Sequence, residues 1–232
     1  MLPILFLPGT LCTPDVFETQ IKELATIAPQ VEAVRFNLED SISKMADTAI
    51  ETIRPHRTAA VIGFSMGGMV AMEIARKQPE LIGKLALINT NYLADSTVNR
   101  SARLLHLQQA NSEGMERVIR QHYLHRYLHK HSVTAQKLIV DMARELGPAC
   151  FAAQIKAHAS RPDSSATLRG IQCPTLILGA EQDGLCPPAV QKQIHQMIKG
   201  SELVMLDACG HFSMQERPRE VNKALRDWYL AA

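Results

Sequence analysis

The chain has 232 residues, 46% of them hydrophobic, with 25 basic and 23 acidic side chains and a formal net charge of +2. That near-balance implies neither a nucleic acid nor an anionic membrane as partner, and no apolar run approaches the roughly 18 residues that span a bilayer. The five cysteines, Cys12, Cys150, Cys173, Cys186 and Cys209, are odd in number and contain no CxxC pair, which argues against a disulfide scaffold or a zinc site and fits a reducing cytoplasm.

The apolar stretch Met1 to Gly9 is short, is interrupted by Pro3 and has no basic flank, so it reads as a buried strand and not as a signal peptide. The strand spans Leu2 to Leu7 and ends in Pro8-Gly9-Thr10. A helix opens at Pro14 and runs to about Ala28. Val31 to Phe36 is a second strand, and Ser41 or Ser43 caps the helix that follows to about Arg54. Thr58 to Gly63 is the third strand, the helix behind it runs from Ser65 to Gln78, and Leu85 to Asn89 is the fourth strand. Strand and helix alternate through these ninety residues, the pattern of a parallel sheet covered on both faces.

From Leu93 to Ala159 the periodicity is only helical, with Leu104, Leu107, Val118, Ile119, Leu124, Leu128, Ile139 and Met142 at three- and four-residue spacings. Gly114 and Gly147-Pro148 divide it into about four short helices. The alternation then resumes. Cys173 to Gly179 is a strand, Pro187-Pro188 starts a helix to about Ile198, Ser201 to Leu206 is the last strand, and Arg217 to Leu230 the closing helix. The expected organisation is a core of residues 1–92 and 170–232 carrying a helical lid of residues 93–169.

Three loops carry chemistry. Gly63-Phe64-Ser65-Met66-Gly67 turns from strand to helix with a serine at the apex, and glycines two residues to either side remove side chains that would collide in a strained turn. Asp183 lies in the loop after the fifth strand and His211 in the loop after the sixth. Parallel strands put their C-terminal ends on one edge, so Ser65, Asp183 and His211 converge in the order Ser, Asp, His. A serine hydroxyl needs a base in contact, and the base needs an acid to hold its tautomer. The amide of Met66 at a helix N-terminus, paired with that of Thr10 after the first strand, is the expected oxyanion hole. Cys12, Cys186 and Cys209, near these segments, read as small residues filling a tight site.

Competing candidates are present. Asp207 and Asp40 also follow strands and compete for the role of the acid. Arg161 and Asp163 lie where the insertion returns to the sheet, and Arg161 is a candidate for meeting an anionic substrate group. His122, His125 and His129 share one helix face but have no carboxylate at ligand spacing, so no metal is expected.

On Leu7-Pro8-Gly9-Thr10, Gly63 to Gly68, Gly179 to Asp183 and Gly210 to Pro218, the chain resembles the α/β-hydrolase fold superfamily over nearly its whole length. It is similar to the small, capped branch that holds carboxylesterases, pimeloyl-carrier methyl esterases, enol-lactonases, cofactor-free haloperoxidases and the menaquinone-pathway lyase. The resemblance implies a mostly parallel, doubly wound sheet of about six strands, because Leu2 begins the first strand without the family's opening hairpin, and a lid inserted after the fourth. The family's His-Gly before the oxyanion residue is Pro8-Gly9 here. The resemblance further implies a cofactor-free serine esterase acting on a small or medium ester or thioester, free or presented by a carrier. The alternatives are a lyase or haloperoxidase on the same triad, or a hydrolase-like ligand-binding protein. Arginines facing the pocket favour a polyanionic substrate and the lyase.

Overall fold

The chain forms six strands, β1 (Ile4–Leu7), β2 (Val31–Ala33), β3 (Ala59–Phe64), β4 (Ile82–Ile88), β5 (Thr175–Ala180) and β6 (Glu202–Leu206), in a computed structural model that describes residues 1–231. They form one sheet in the order β2-β1-β3-β4-β5-β6, and every neighbouring pair is parallel. β1, β3 and β5 are buried along their whole length, as strands covered on both faces must be. β1 begins at Ile4 and not at Leu2, since Pro3 has no N–H to give the ladder. β2, with a single neighbour, stops at Ala33, short of the expected Phe36.

The register aligns the strand ends. Leu7 lies opposite Gly63, Phe64 opposite Ile88, Ile88 opposite Leu178, and Ala180 opposite Leu206. The loops that leave β1, β3, β4, β5 and β6 therefore emerge side by side along one edge.

Helices α1 (Glu18–Leu24), α2 (Ile42–Ile53) and α3 (Met66–Lys77) connect the first four strands, α1 being preceded by a 3₁₀ turn at Pro14–Phe17. Ser41 is the cap of α2, its hydroxyl accepting from the Lys44 N–H at 3.2 Å. Between β4 and β5 the chain is only helical: α4 (Thr97–Glu113), α5 (Met115–Val118), a π turn (Ile119–Tyr123) leading into α6 (Leu124–Tyr127), α7 (Val133–Ser160) and α8 (Ser165–Gly170). α7 is two helices meeting at a kink where Gly147 (φ 73°) precedes Pro148, and Gly114 (φ 88°) ends α4. Gly114 and Gly147-Pro148 divide the insertion as expected, but it holds more helical pieces than the expected four. α8 was not expected: its six residues are too few for a periodicity to show. After β5 come α9 (Pro188–Met197), α10 (Ser213–Glu216) and α11 (Pro218–Leu230). Among the described residues no helix is long and apolar enough to cross a membrane.

Alternate residues of β1 feed two core layers. Ile4 and Phe6 pack with Phe17, Phe64 and Phe212, while Leu5 and Leu7 pack with Met45, Ile50 and Val70. The insertion joins the first layer through Val118, Ile119, Ile139 and Phe151. Leu168 of α8 joins the second.

Candidate active site

Ser65 occupies the turn between β3 and α3 with φ 52° and ψ −114°, a conformation that costs a non-glycine residue roughly 1–3 kcal/mol. Its surroundings hold it there. Its N–H donates to Ile88 O at 2.9 Å, and its carbonyl accepts from Thr90 Oγ1 at 2.6 Å. The flanking glycines have steric reasons. A Cβ on Gly63 would lie 2.5 Å from Gly67 O, and one on Gly67 only 1.9 Å from Leu7 O.

Two loops bring partners to this serine. The loop after β5 folds Asp183 back on itself: its Oδ1 accepts from the Leu185 and Cys186 N–H groups at 2.8 and 2.9 Å. The loop after β6 passes through Ala208 (φ 48°) and is tied to the first by Gln182, whose N–H donates to Cys209 O at 3.0 Å and whose Oε1 accepts from Cys209 N–H at 2.9 Å. Glu216 accepts from Gly210 N–H at 2.7 Å, and Phe212 N–H donates to Tyr127 O of the insertion at 3.1 Å. His211 is thereby clamped between elements, with the rings of Phe64 and Tyr127 at 5.1 and 5.9 Å from its own.

His211 Nε2 lies 3.0 Å from Ser65 Oγ, and Nδ1 lies 2.8 Å from Asp183 Oδ2. Both His211 and Asp183 are buried. Burial works against the Asp183 charge, yet His211 and the two backbone donors outweigh it and hold the carboxyl below its ordinary value. Of the competing acids, Asp207 is exposed and reaches no residue of the serine site, accepting a long bond from Gln182 at 3.4 Å, and Asp40 pairs with Lys44 on the surface at 2.7 Å. Asp163 caps the start of α8 by accepting from Ser165 N–H at 2.8 Å.

A fourth residue was not visible in the sequence. Asn89, the first residue after β4, donates from Nδ2 to Asp183 Oδ2 at 2.9 Å and accepts from Ser213 Oγ at 2.6 Å. It is fully buried and sits at φ 45°, which asparagine tolerates better than most residues. Asn89→Ala removes both bonds and is expected to lower the unfolding free energy by roughly 2–3 kcal/mol, read from a denaturant melt. A loss below that of an exposed Asn→Ala change would dismiss the coupling.

The serine opens into a cavity of about 130 Å³. Phe64, Tyr127, Phe151 and Phe212 contribute aromatic rings to its lining, and Arg103, Arg126, Arg161, His106 and His158 are among its polar residues. Thr10 lines it too, and its hydroxyl lies 2.7 Å from His158 Nε2. Arg161 is buried: its Nε donates to Leu93 O at 2.8 Å, and its Nη1 reaches Asp95 Oδ1 at 3.2 Å and His158 Nδ1 at 3.0 Å. A guanidinium only donates, so His158 accepts at Nδ1 and carries its proton on Nε2. That proton goes to Thr10 Oγ1 and leaves the Thr10 hydroxyl proton free. Burial, reinforced by Arg103 and Arg161, holds His158 far below its ordinary pKa and therefore neutral.

Asp183, Cys186 and His211 are the one group of three metal-type donors drawn together among the described residues, their ligand atoms within 4.8 Å of one another. Asp183 and His211 are already engaged by each other and Asp183 also by backbone amides, and burial, with Asp183 beside it, pushes the Cys186 thiol well above its usual range. Cys209 is pushed up to about 12 and Cys12 higher still, by burial in each case. All five cysteines are free thiols. His122, His125 and His129 do not gather. His122 stacks on His106 at 4.2 Å, and His129 lies beyond the end of α6, its N–H donating to Glu216.

A parallel sheet with a strained serine turn after one strand, and an aspartate and a histidine after two others, defines an α/β protein in which these three side chains meet at the C-terminal edge of the sheet. The profile described as "Alpha/beta hydrolase family" matches residues 4–224, and the chain belongs to that family. A putative carbamate hydrolase RutD from Rhizobium rhizogenes is 29% identical over 193 residues, 80% of this chain and 73% of that one. A pimeloyl-(acyl-carrier protein) methyl ester esterase from Neisseria meningitidis is 24% identical over 160 residues, 66% of this chain and 51% of its own length. Among solved structures, a thermophilic esterase from Thermogutta terrifontis superimposes with a TM-score of 0.88 at 24% identity, covering 99% of this chain and 89% of that one. The fold is likewise that of MenH from S. aureus, with a TM-score of 0.84 at 18% identity over 97% of this chain and 92% of that one.

Proposed function

We propose that the protein is a serine hydrolase of carboxylic esters or thioesters, working through an acyl-enzyme. The observation that carries the reading is His211 bridging Ser65 Oγ at 3.0 Å and Asp183 Oδ2 at 2.8 Å, at the floor of a cavity. Ser65 Oγ attacks the carbonyl carbon while His211 Nε2 takes the hydroxyl proton, and Asp183 stabilises the imidazolium. The tetrahedral oxyanion rests on the N–H groups of Met66 and Thr10. Met66 opens α3, so its N–H has no partner inside the helix. A Cβ on Gly9 would come within 3.2 Å of Ser65 Cβ, which keeps the Pro8-Gly9-Thr10 turn against the serine. The neighbouring Leu11 N–H is already given to Gln154 at 2.8 Å. Collapse expels the alcohol or thiol, which leaves with the His211 proton. Water, deprotonated by His211, then attacks the acyl-enzyme, and the acid departs as Ser65 regains its proton.

Residues 93–169 act in this reading as a lid over a core of 1–92 and 170–232. Arg161 lends its charge to the cavity and steadies His158 and Thr10. The substrate is a small molecule, free or carrier-presented, and the near-balanced charge and free cysteines fit a cytoplasmic enzyme.

Hydrolysis of p-nitrophenyl esters from acetate to decanoate tests the reading, and the optimum reports the acyl chain that the cavity accepts. No turnover in a folded protein that a fluorophosphonate still labels at Ser65 would mean a competent serine with a narrower ester substrate, or elimination on the same residues. That second reading has support of its own, since Arg103, Arg126 and Arg161 face the cavity. Absence of labelling as well would leave a ligand-binding protein.

A further inference from the structure

The cavity in front of Ser65 is lined by three arginines, Arg103, Arg126 and Arg161, and by no aspartate or glutamate. One acid stands behind them. Asp95, its side chain fully buried, accepts from Arg103 Nη1 at 2.7 Å and from Arg161 Nη1 at 3.2 Å. A single carboxylate thus serves two guanidinium groups. Arg126 makes no ion pair among the described residues; it gives Nη2 to Gly184 O at 3.1 Å. The remaining acid of the site, Asp183, is taken up by His211, Asn89 and two backbone amides. The arginine side of the cavity therefore carries charge that the protein itself does not neutralise.

A partly buried cationic cluster without matching acids is costly to hold, and an anionic ligand that completes it is bound by charge-assisted, bidentate hydrogen bonds. The two arginines with donors to spare sit on the insertion, Arg103 on α4 and Arg126 on α6, with His106 and Tyr123 between them in sequence and hydrogen-bonded at 2.9 Å. Aromatic rings, by contrast, flank His211, while the arginines come from the insertion. The cavity's own histidines feel this charge: burial first, then His122 and after it Arg126 and Arg103, hold His106 below its ordinary value, and burial, then Arg103 and Arg161, do the same to His158.

We propose that Arg103 and Arg126 form a carboxylate-binding subsite, so that the substrate is an ester or thioester whose acyl or alcohol part ends in a carboxylate. The proposal rests on the reading of Ser65 as the nucleophile only for the position of the reacting bond. Arg161, with Nε and Nη1 spent on Leu93, Asp95 and His158, sets the charge of the subsite without supplying its principal donors.

The test compares two isosteric esters, mono-4-nitrophenyl glutarate and 4-nitrophenyl 5-methylhexanoate. The first ends in a carboxylate and the second in an isopropyl group of the same shape. The wild type is expected to favour the glutarate ester in kcat/KM. Arg126→Met should lower the ratio of the two kcat/KM values roughly 10- to 100-fold, and added salt should lower it further in the wild type. Arg219→Met, an exposed arginine remote from the cavity lining, should leave the ratio alone. Arg103→Met would also uncover Asp95, so the exposed Arg126 is the safer first change. Calorimetric binding of glutarate to Ser65→Ala needs no turnover. Binding that Arg126→Met abolishes upholds the subsite even if neither ester is cleaved, and hydrolysis is then the reading that fails. A wild type that prefers the neutral ester, a ratio unmoved by Arg126→Met, or no glutarate binding while the neutral ester is cleaved would each overturn the subsite and leave hydrolysis standing.

Discussion

Ser65→Ala is expected to leave a folded protein that has lost its ester turnover, with kcat falling by as much as roughly 10⁶-fold if the serine is the nucleophile. The size of the loss follows from covalency: without Oγ no acyl-enzyme forms, and what remains is positioning by the cavity and its backbone donors. The substitution is small for the fold. Alanine meets the same backbone demand at φ 52° that serine already meets, and the bonds from Ser65 N–H to Ile88 O and from Thr90 Oγ1 to Ser65 O involve no side-chain atom of residue 65. The thermal midpoint should therefore stay near that of the wild type. Activity measured beside the melt decides the matter, and a folded Ser65→Ala that retains turnover removes the acyl-enzyme mechanism.

Asp183→Asn should be nearly as severe in kcat, by roughly 10⁴-fold, with little change in shape. The Asp183 carboxylate accepts four hydrogen bonds, two at Oδ1 from backbone amides and two at Oδ2 from Asn89 and His211. An asparagine keeps the first pair only if its oxygen takes the Oδ1 position. Its NH₂ then faces the Asn89 NH₂ and His211 Nδ1. The histidine must accept at Nδ1, so its proton moves to Nε2, where it can no longer receive one from Ser65. The same variant changes the acid side of stability. Burial raises the Asp183 pKa, but His211 and the amides of Cys186 and Leu185 lower it by more, and the carboxyl sits below its ordinary value. A depressed carboxyl stabilises the native state at every pH above its unfolded value, near 4, and that contribution is lost as the pH falls through the depressed value. Denaturant unfolding measured from neutral pH to about pH 2 should show a shallower acid loss in Asp183→Asn than in the wild type. Parallel curves would mean that Asp183 carries no such charge.

Much of this protein is written in local patterns. The central strands are buried on both faces, so β1, β3 and β5 read as unbroken apolar runs, and their alternation with helices points to a parallel sheet, although the edge strands β2 and β6 each carry a glutamate. The turn at Ser65 is legible because Gly63 and Gly67 answer collisions within a few residues and against one neighbouring strand. Asp183 and His211 are legible as candidates because parallel pairing sends the ends of β5 and β6 to the edge where Ser65 lies. Gly114 and Gly147-Pro148 punctuate the insertion in the sequence as they do in the structure.

Other features were decided only by the packing of distant segments. Asp207 and Asp183 both follow strand ends, and the motif order favours Asp183; the Gln182–Cys209 bonds and the two amides at Asp183 Oδ1 are what turn that loop inward. Asn89 carries no motif, and its tie to Asp183 crosses two adjacent strand ends. Thr10, His158, Arg161, Asp95 and Arg103 come from the β1 loop and from the insertion and form one connected set. Helical spacing identifies the apolar face of each insertion helix but is silent on which polar residues its packing turns toward the cavity. Periodicity is a property of neighbours along the chain, whereas the sign of charge in a cavity belongs to side chains that meet only after the helices have docked.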